Sequence, residues 1–338
     1  LLTVDAERVT DLEYRDGYNE RGCAERFPRL ELPQALHLAT RICGTCSVAH
    51  GLAFCQTIET LCTITVPERA QYLRVVAAEL ERIASHLNAA ATILETIGML
   101  PTATRLYQLR EQSLAAQQVL SGSRVMPDFI LPGGVRRDLN ETDRAKLQEI
   151  TANLNRSLFQ QIDQLIDQPA LPLRTVGIGT LPRAAAEQFG IRGPLARASG
   201  VTTDLRVLHP YAAYSKLACR VITQDGGDVY ARLMVLLLEA LESTKLIEQA
   251  LRDLPTDDWH GTFPADLTKG HAASGVEGPH GMIRYHIESD GRRLSQVQID
   301  APRQLDRLLA RTFLIGSLLE NVIPIITSCD VCTACAEH

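Results

Sequence analysis

The chain has 338 residues, 45% hydrophobic and 22% charged, enough to bury a sizeable core as one large unit or two lobes. A formal net charge of -6, with Lys and Arg scattered rather than blocked, argues against a nucleic-acid-binding surface, and no nucleic acid partner is expected. No apolar run of about 18 residues and no basic-then-apolar start are visible, so neither a membrane span nor a signal peptide is expected. Peripheral docking on a membrane complex stays open, because docking surfaces need not be apolar enough to read from sequence.

Residues 1–20 carry two short alternating stretches, Leu2-Thr3-Val4 and Val9 to Tyr14, which predict a small β element. A helical region opens at Cys43-Gly44-Thr45-Cys46. From Pro67 onward Tyr72, Val75, Val76, Leu80, Ile83, Leu87, Ala90, Ile93, Leu94 and Ile97 keep a helical period for about eight turns, with Gly98 and Pro101 marking the end. Further helices are predicted near 102–123, 141–167, 211–222, 227–253 and 303–322, around a loop-rich middle punctuated by Pro169, Pro172, Gly177, Gly179 and Pro182. Met282 to Glu288 and Leu294 to Ile299 alternate on either side of Asp290-Gly291, a hairpin signal. The expected architecture is one α+β domain over 1–338, mainly α with a small β periphery. It comprises a β element and first cysteine motif (1–66), a helical core (67–254), and a hairpin, helix and second cysteine motif (255–338).

Nine cysteines, an odd number, with no secretory signal fit a reducing, cytoplasmic compartment, where paired cysteines are metal ligands or redox groups more often than disulfides. Two Cys-x-x-Cys pairs, Cys43/Cys46 and Cys332/Cys335, lie near opposite ends. Cys23, Cys55, Cys62, Cys219 and Cys329 read as small buried apolar residues. Four thiolates can bind a structural zinc, ligate an iron–sulfur cluster, or hold a catalytic centre of nickel, iron or copper. Zinc knuckles usually draw on pairs close in sequence, which weakens that reading; a shared centre and two unrelated pairs both remain open.

His50 follows Cys46 by four, so on a helix its ring turns back toward the sulfurs and can donate to one; a helix histidine satisfied by a backbone carbonyl is the alternative. Arg41 and Asp330 each precede a pair by two. Charges there tune the potential and proton affinity of a thiolate cluster, unless they are ordinary surface residues. His338, three residues after Cys335, suggests a tucked terminus.

At Arg41-x-Cys43-Gly44-x-Cys46-x-x-x-His50 together with Asp330-x-Cys332-x-x-Cys335-x-x-His338, the chain resembles the large subunit of nickel–iron hydrogenases. Gly17 to Gly22, Pro67 to Tyr72, Pro127 to Gly134, Ser199 to Arg206 and Ser289 to Gly291 resemble the branch shared by energy-converting membrane-associated hydrogenases and the quinone-side subunit of respiratory complex I. The resemblance covers nearly the whole chain and implies a helical core with both termini converging on a buried metal site. An opening strand looks absent relative to the family. The resemblance makes Cys43, Cys46, Cys332 and Cys335 the nickel ligands, with Cys46 and Cys335 bridging to an iron that carries carbon monoxide and cyanide. It implies that hydrogen is split into hydride and proton, that Cys332 takes the proton, and that electrons leave through iron–sulfur clusters of a small partner subunit. Further electron-transfer or membrane subunits would place the chain peripherally on the cytoplasmic face of a membrane complex.

The chain departs from the family pattern at several positions. The glutamate that usually follows Arg-Gly-x is Ala24 here, with Glu25 one residue later, so Glu25 relays protons only if the backbone shifts. The Ala-Pro-Arg-Gly segment reads Gly278-Pro279-His280-Gly281. His280 thus replaces an arginine above the metals, and because histidine can lose its proton near neutral pH, pH-dependent electrostatics are expected. The usual Asp-Pro-Cys reads Asp330-Val331-Cys332. The terminal histidine often binds magnesium with a glutamate that here is Thr40, so His338 is either a magnesium ligand with altered partners or a hydrogen-bonded terminus. The rival to a hydrogenase is a complex I-like scaffold and redox-coupling subunit without hydrogen chemistry; a zinc-stabilised helical protein is a third reading.

Overall fold

A computed structural model describes residues 1–338. The chain opens with an antiparallel hairpin, β1 (Leu2–Asp5) and β2 (Arg8–Leu12). Helices α1 (Cys23–Arg26) and α2 (Leu32–Ala39) follow; α2 starts where Gln34 Oε1 accepts the Glu31 N–H at 3.1 Å. The buried helix α3 (Ser47–Cys62) begins directly at Cys46.

The centre of the molecule is α4 (Glu68–Thr96), which packs against α5 (Leu100–Ser121) and against α11 (Val229–Arg252). Between α5 and α11 lie the two-residue strands β3 (Ile130–Leu131) and β4 (Gly134–Val135), the long α6 (Glu141–Ile166), and four short helices. These are α7 (Ala170–Thr175), α8 (Arg183–Gln188), α9 (Pro194–Arg197) and α10 (Leu205–Leu208). Asn140 and Asp228 cap α6 and α11 by accepting the N–H three residues on, each at 2.8 Å. Leu73, Val76, Leu80, Ile83, Leu87 and Leu94 of α4 are fully buried, as the helical period predicts. α4 is also buried where its charged residues lie, so those charges must find partners inside the protein.

An antiparallel sheet, β5 (Gly270–Gly278), β6 (Gly281–Ser289) and β7 (Leu294–Asp300), covers α3. The predicted β6–β7 hairpin turns at Asp290, whose Oδ1 accepts the N–H groups of Arg292 and Arg293 at 2.8 Å, with Gly291 at φ +102°. The third strand, β5, runs Gly-His-Ala-Ala-Ser-Gly-Val-Glu-Gly, which shows no alternation. The chain closes with α12 (Arg307–Leu314), α13 (Val322–Ser328) and α14 (Thr333–Ala336).

Two predicted helices are corrected. Over 211–222 only a single 3-10 turn forms, at Tyr214–Lys216. The two tyrosines that lent the segment its apolar period turn their hydroxyls inward, Tyr214 donating to Glu79 and Tyr211 accepting the Glu277 N–H at 3.0 Å. The predicted helix 303–322 breaks at Gly316, φ +82°, because Gly316 N–H donates to Val9 O at 2.8 Å and Ser317 O accepts the Val9 N–H at 2.9 Å. The N-terminal hairpin takes the backbone groups that a continuous helix would use. The fold is therefore α+β, mainly helical with small antiparallel sheets.

Candidate metal centre

The first cysteine pair occupies the turn between α2 and α3. Ser47 Oγ donates to Thr40 O at 2.7 Å, which closes the turn, and Cys46 stands at the N-cap of α3. The second pair follows α13, where Asp330 adopts φ +50° and swings the chain so that Cys332 starts α14. One guanidinium joins the two turns: Arg21 Nη2 donates to Ile42 O at 2.7 Å and to Ala334 O at 2.9 Å. Glu337 accepts the N–H groups of Gly17 and Asn19, and Asn19 Nδ2 donates to Thr333 Oγ1 at 2.9 Å.

The sulfurs of Cys43, Cys46 and Cys335 lie within 4.8 Å of one another, and Cys332 Sγ stands 3.3 Å from Cys43 Sγ. Two of them carry a histidine. His280 Nδ1 is 3.0 Å from Cys46 Sγ, and His50 Nε2 is 3.5 Å from Cys335 Sγ while its Nδ1 meets the Tyr285 hydroxyl at 2.9 Å. His280 sits in the β5–β6 turn, where Gly193 makes room for it: a Cβ there would lie 2.4 Å from the His280 carbonyl oxygen. Behind α3, Glu81 of α4 accepts the N–H groups of Val48 at 2.7 Å and Ala49 at 3.0 Å.

Against this geometry, residues 25–88 match the nickel-dependent hydrogenase family, and residues 96–268 match the 49 kDa subunit of respiratory-chain NADH dehydrogenase. The carbon monoxide-induced hydrogenase of Rhodospirillum rubrum is 30% identical over 100% of this chain and 94% of its own length. The chain belongs to this hydrogenase and complex I subunit family. An NADH-quinone oxidoreductase component of Dehalococcoides mccartyi is 32% identical over 98% of the chain and 91% of its own length. Formate hydrogenlyase subunit 5 of Escherichia coli K12 is 30% identical over the whole chain, which spans 60% of that relative.

Membership of this family makes the placement of each predicted site residue informative. Cys43, Cys46, Cys332, Cys335, His50, His280 and Asp330 come together; Arg41 and Glu25 do not. Arg41 turns its Nη1 to Asp128 Oδ2 at 2.8 Å, and Glu25 is exposed on α1 with no hydrogen bond to the thiols. His50 does reach a sulfur, as its spacing predicts, but that of the second pair. His338 Nδ1 is engaged by Cys335 O at 2.9 Å, the hydrogen-bonded arrangement, and the gathered set of potential ligands does not include it.

Contacts among the four sulfurs split their acidities. Contact with Cys332 is the main influence that lowers Cys43, and contact with Cys335 the main one that lowers Cys332, to about 7; Cys46 and Cys335 are raised. So many neighbouring thiols cannot all ionise without compensating cations, and the two that hold back their protons, Cys46 and Cys335, are suited to release them when metal binds. The soft donor set and its near-complete burial suit a transition-metal centre. Burial pulls His50 down to about 4, which leaves it neutral, one ring nitrogen carrying the proton and the other accepting, between the Tyr285 hydroxyl and Cys335 Sγ. Burial also pulls His280 down, but Asp330, Cys332 and Cys43 outweigh it and raise it to about 9. His280 thus holds its proton more tightly than a free imidazole in the metal-free chain, with a carboxylate facing its Nε2 at 3.4 Å.

Sequence reading missed a buried ion network that leads up to this site. Arg206 bonds Asp204 at 2.7 Å and Glu79 at 3.1 Å; Arg197 bonds Glu239 and, at 2.8 Å, Glu277; His86 meets Glu239 at 3.0 Å. Arg82 contacts Glu79 and donates to Gly278 O at 2.9 Å and Glu277 O at 2.6 Å, which ties the network to the strand end that presents His280. The available signal was the placement of Glu79, Arg82 and His86 at the core-facing phase of α4.

Proposed function

We propose that the chain is the catalytic large subunit of a nickel–iron hydrogenase, cleaving hydrogen reversibly to protons and electrons. The observation that carries this reading is the meeting of four cysteines from opposite ends of the chain in one buried cluster. Cys43, Cys46, Cys332 and Cys335 would hold nickel, with Cys46 and Cys335 shared with an iron. When bound, such a centre supplies the redox change and the polarisation of hydrogen, the iron carrying carbon monoxide and cyanide.

The protein's share follows from its own groups. The two sulfurs assigned as shared each have a histidine ring nitrogen beside them, and an N–H donated there once they are thiolates would draw negative charge from them and lower their basicity. Cys332 has no histidine and is only partly buried, so it is the sulfur best placed to take and release a proton. Asp330 and His280 form a charged pair over Cys46, in place of the family's arginine. With one gathered set of ligands in this chain, electrons must pass to iron–sulfur clusters of a partner subunit, in an assembly peripheral to a membrane. No helix here is long and apolar enough to cross a membrane.

The second reading, a complex I-like scaffold without hydrogen chemistry, is supported by the match of residues 96–268 and by the Dehalococcoides relative. Metal analysis and infrared spectroscopy of the chain purified with its partners separate the two. Nickel and iron in about equal amounts, with cyanide and carbon monoxide bands in an otherwise empty spectral window, are expected for a hydrogenase. Absence of metal and bands would leave the scaffold reading, and zinc alone the zinc-stabilised one.

A further inference from the structure

Behind His280, on the side of α11, lies a small enclosed cavity lined by Arg232, Leu236, His280, Gln304, Ser328 and Asp330 among others. It leaves about 10 Å³ for the centre of a water molecule, the space that one water needs. Three of its lining side chains each have a polar atom that is buried and without a hydrogen-bond partner: Arg232 Nε, Gln304 Oε1 and Asp330 Oδ2. Arg232 and Gln304 are 1% and 3% exposed, so bulk solvent does not satisfy them.

The chemistry of these atoms selects the occupant. Gln304 cannot be turned round, because its Nε2 donates to His280 O at 2.8 Å and a reversed amide would set two acceptors face to face. One donor, Arg232 Nε–H, therefore faces two acceptors. An anion would meet the Asp330 carboxylate and the Gln304 oxygen, and a cation would meet the Arg232 guanidinium. A water accepts one hydrogen bond and donates two, which matches all three groups.

Its position gives it a role. Arg232 is held by Ser328 Oγ at 3.0 Å, by Gly227 O at 2.9 Å and by Gly179 O, and it makes no ion pair. Asp330 approaches His280 Nε2 at 3.4 Å, a charge contact that fails as an aligned hydrogen bond. We propose that one buried water, held by Arg232 and Gln304, fixes the Asp330 carboxylate against His280 and thereby sets the His280 ring on Cys46. Arg232 is then a positioning residue that stands one water away from the pair that replaces the family's arginine. The water does not depend on the hydrogenase reading; its effect on a bound centre rests on it.

The test is a high-resolution structure of the full chain, metal-free or loaded, joined to ¹⁵N resonances of the His280 ring in the metal-free chain. A single water peak within hydrogen-bond distance of Arg232 Nε, Gln304 Oε1 and Asp330 Oδ2 is expected. In Arg232→Lys, the peak should be lost and the His280 ring resonances should shift. In the loaded complex the cyanide bands should shift without loss of nickel. A dry cavity, or direct bonding among the three groups, overturns the proposal, as do unchanged ring resonances in a folded Arg232→Lys chain. The wild-type density needs no variant, so poor folding of Arg232→Lys leaves the test intact; bands missing altogether would remove the hydrogenase reading and not the water.

Discussion

The ion network between α4, α11 and β5 and the thiol cluster between α3 and α14 are both buried and both dense in ionisable groups, yet they balance charge differently. In the network, Arg82, Arg197 and Arg206 face Glu79, Asp204, Glu239 and Glu277, so the protein supplies both signs. In the cluster, four thiols have only His50 and His280 beside them, so all four can ionise together only when a cation joins them. The difference assigns separate tasks. A network whose charges meet opposite charges within the chain serves the fold, whereas thiols that need a cation to ionise together serve the ion that joins them.

The sharpest way to break this comparison is to remove one sulfur. Cys335→Ser should abolish nickel incorporation while changing the stability of the metal-free chain by no more than about 1 kcal/mol. Metal content and the urea midpoint of the metal-free chain check both halves; a large stability loss would mean that the cluster also serves the fold. The converse is Arg197→Met, which strips the fully buried partner from Glu239 and Glu277 and should cost about 3–5 kcal/mol, read from denaturant unfolding. A cost below about 1 kcal/mol would show that water or a neighbour replaces the guanidinium.

The sequence exposed one of these regions far better than the other. The cysteine spacing marked all four sulfurs, and the helical period of α4 located the central helix, because both signals are local. The network was hidden because the partners of Glu79, Arg82, Arg197 and Glu239 come from separate elements that meet only on packing. Arg21 stood inside a recognised stretch, yet its link between two carbonyls 292 residues apart, those of Ile42 and Ala334, exists only after folding. The same dependence on packing explains the errors. Glu25 is near a motif in sequence yet lies in solvent, while Glu81, with no motif around it, holds the start of α3. The 211–222 segment has a helical period because its tyrosines face the network, not because it coils.

Protonation sharpens the comparison further. Burial pushes the Glu79 carboxyl up, but Arg82 and Arg206 outweigh it and hold it at about 2, below its unfolded value of 4.5. A depressed carboxylate contributes stability above the unfolded value and loses it as pH falls toward the folded one. The metal-free chain should therefore lose about 3 kcal/mol through Glu79 alone between about pH 4.5 and 2. Unfolding free energies measured down this range check it, and a flat profile would deny the ion pairs their strength.

Glu81, two residues further along α4 and so on another face, should behave in the opposite sense. Its burial pushes the carboxyl up to about 8 despite two N–H donors, with Cys43 adding to the rise and Arg82 opposing it. A raised carboxyl binds its proton more tightly in the folded state, so its contribution is full below the unfolded value of 4.5 and declines as pH rises toward 8. Between about pH 4.5 and 6 this should remove about 2 kcal/mol from the wild type relative to Glu81→Gln, which cannot ionise. Because His86 and the network titrate alike in both chains, the difference between their unfolding free energies isolates Glu81. A difference independent of pH would mean that the N-terminus of α3 stabilises the carboxylate fully, and that this face of α4, like that of Glu79, has its counter-charge within the protein.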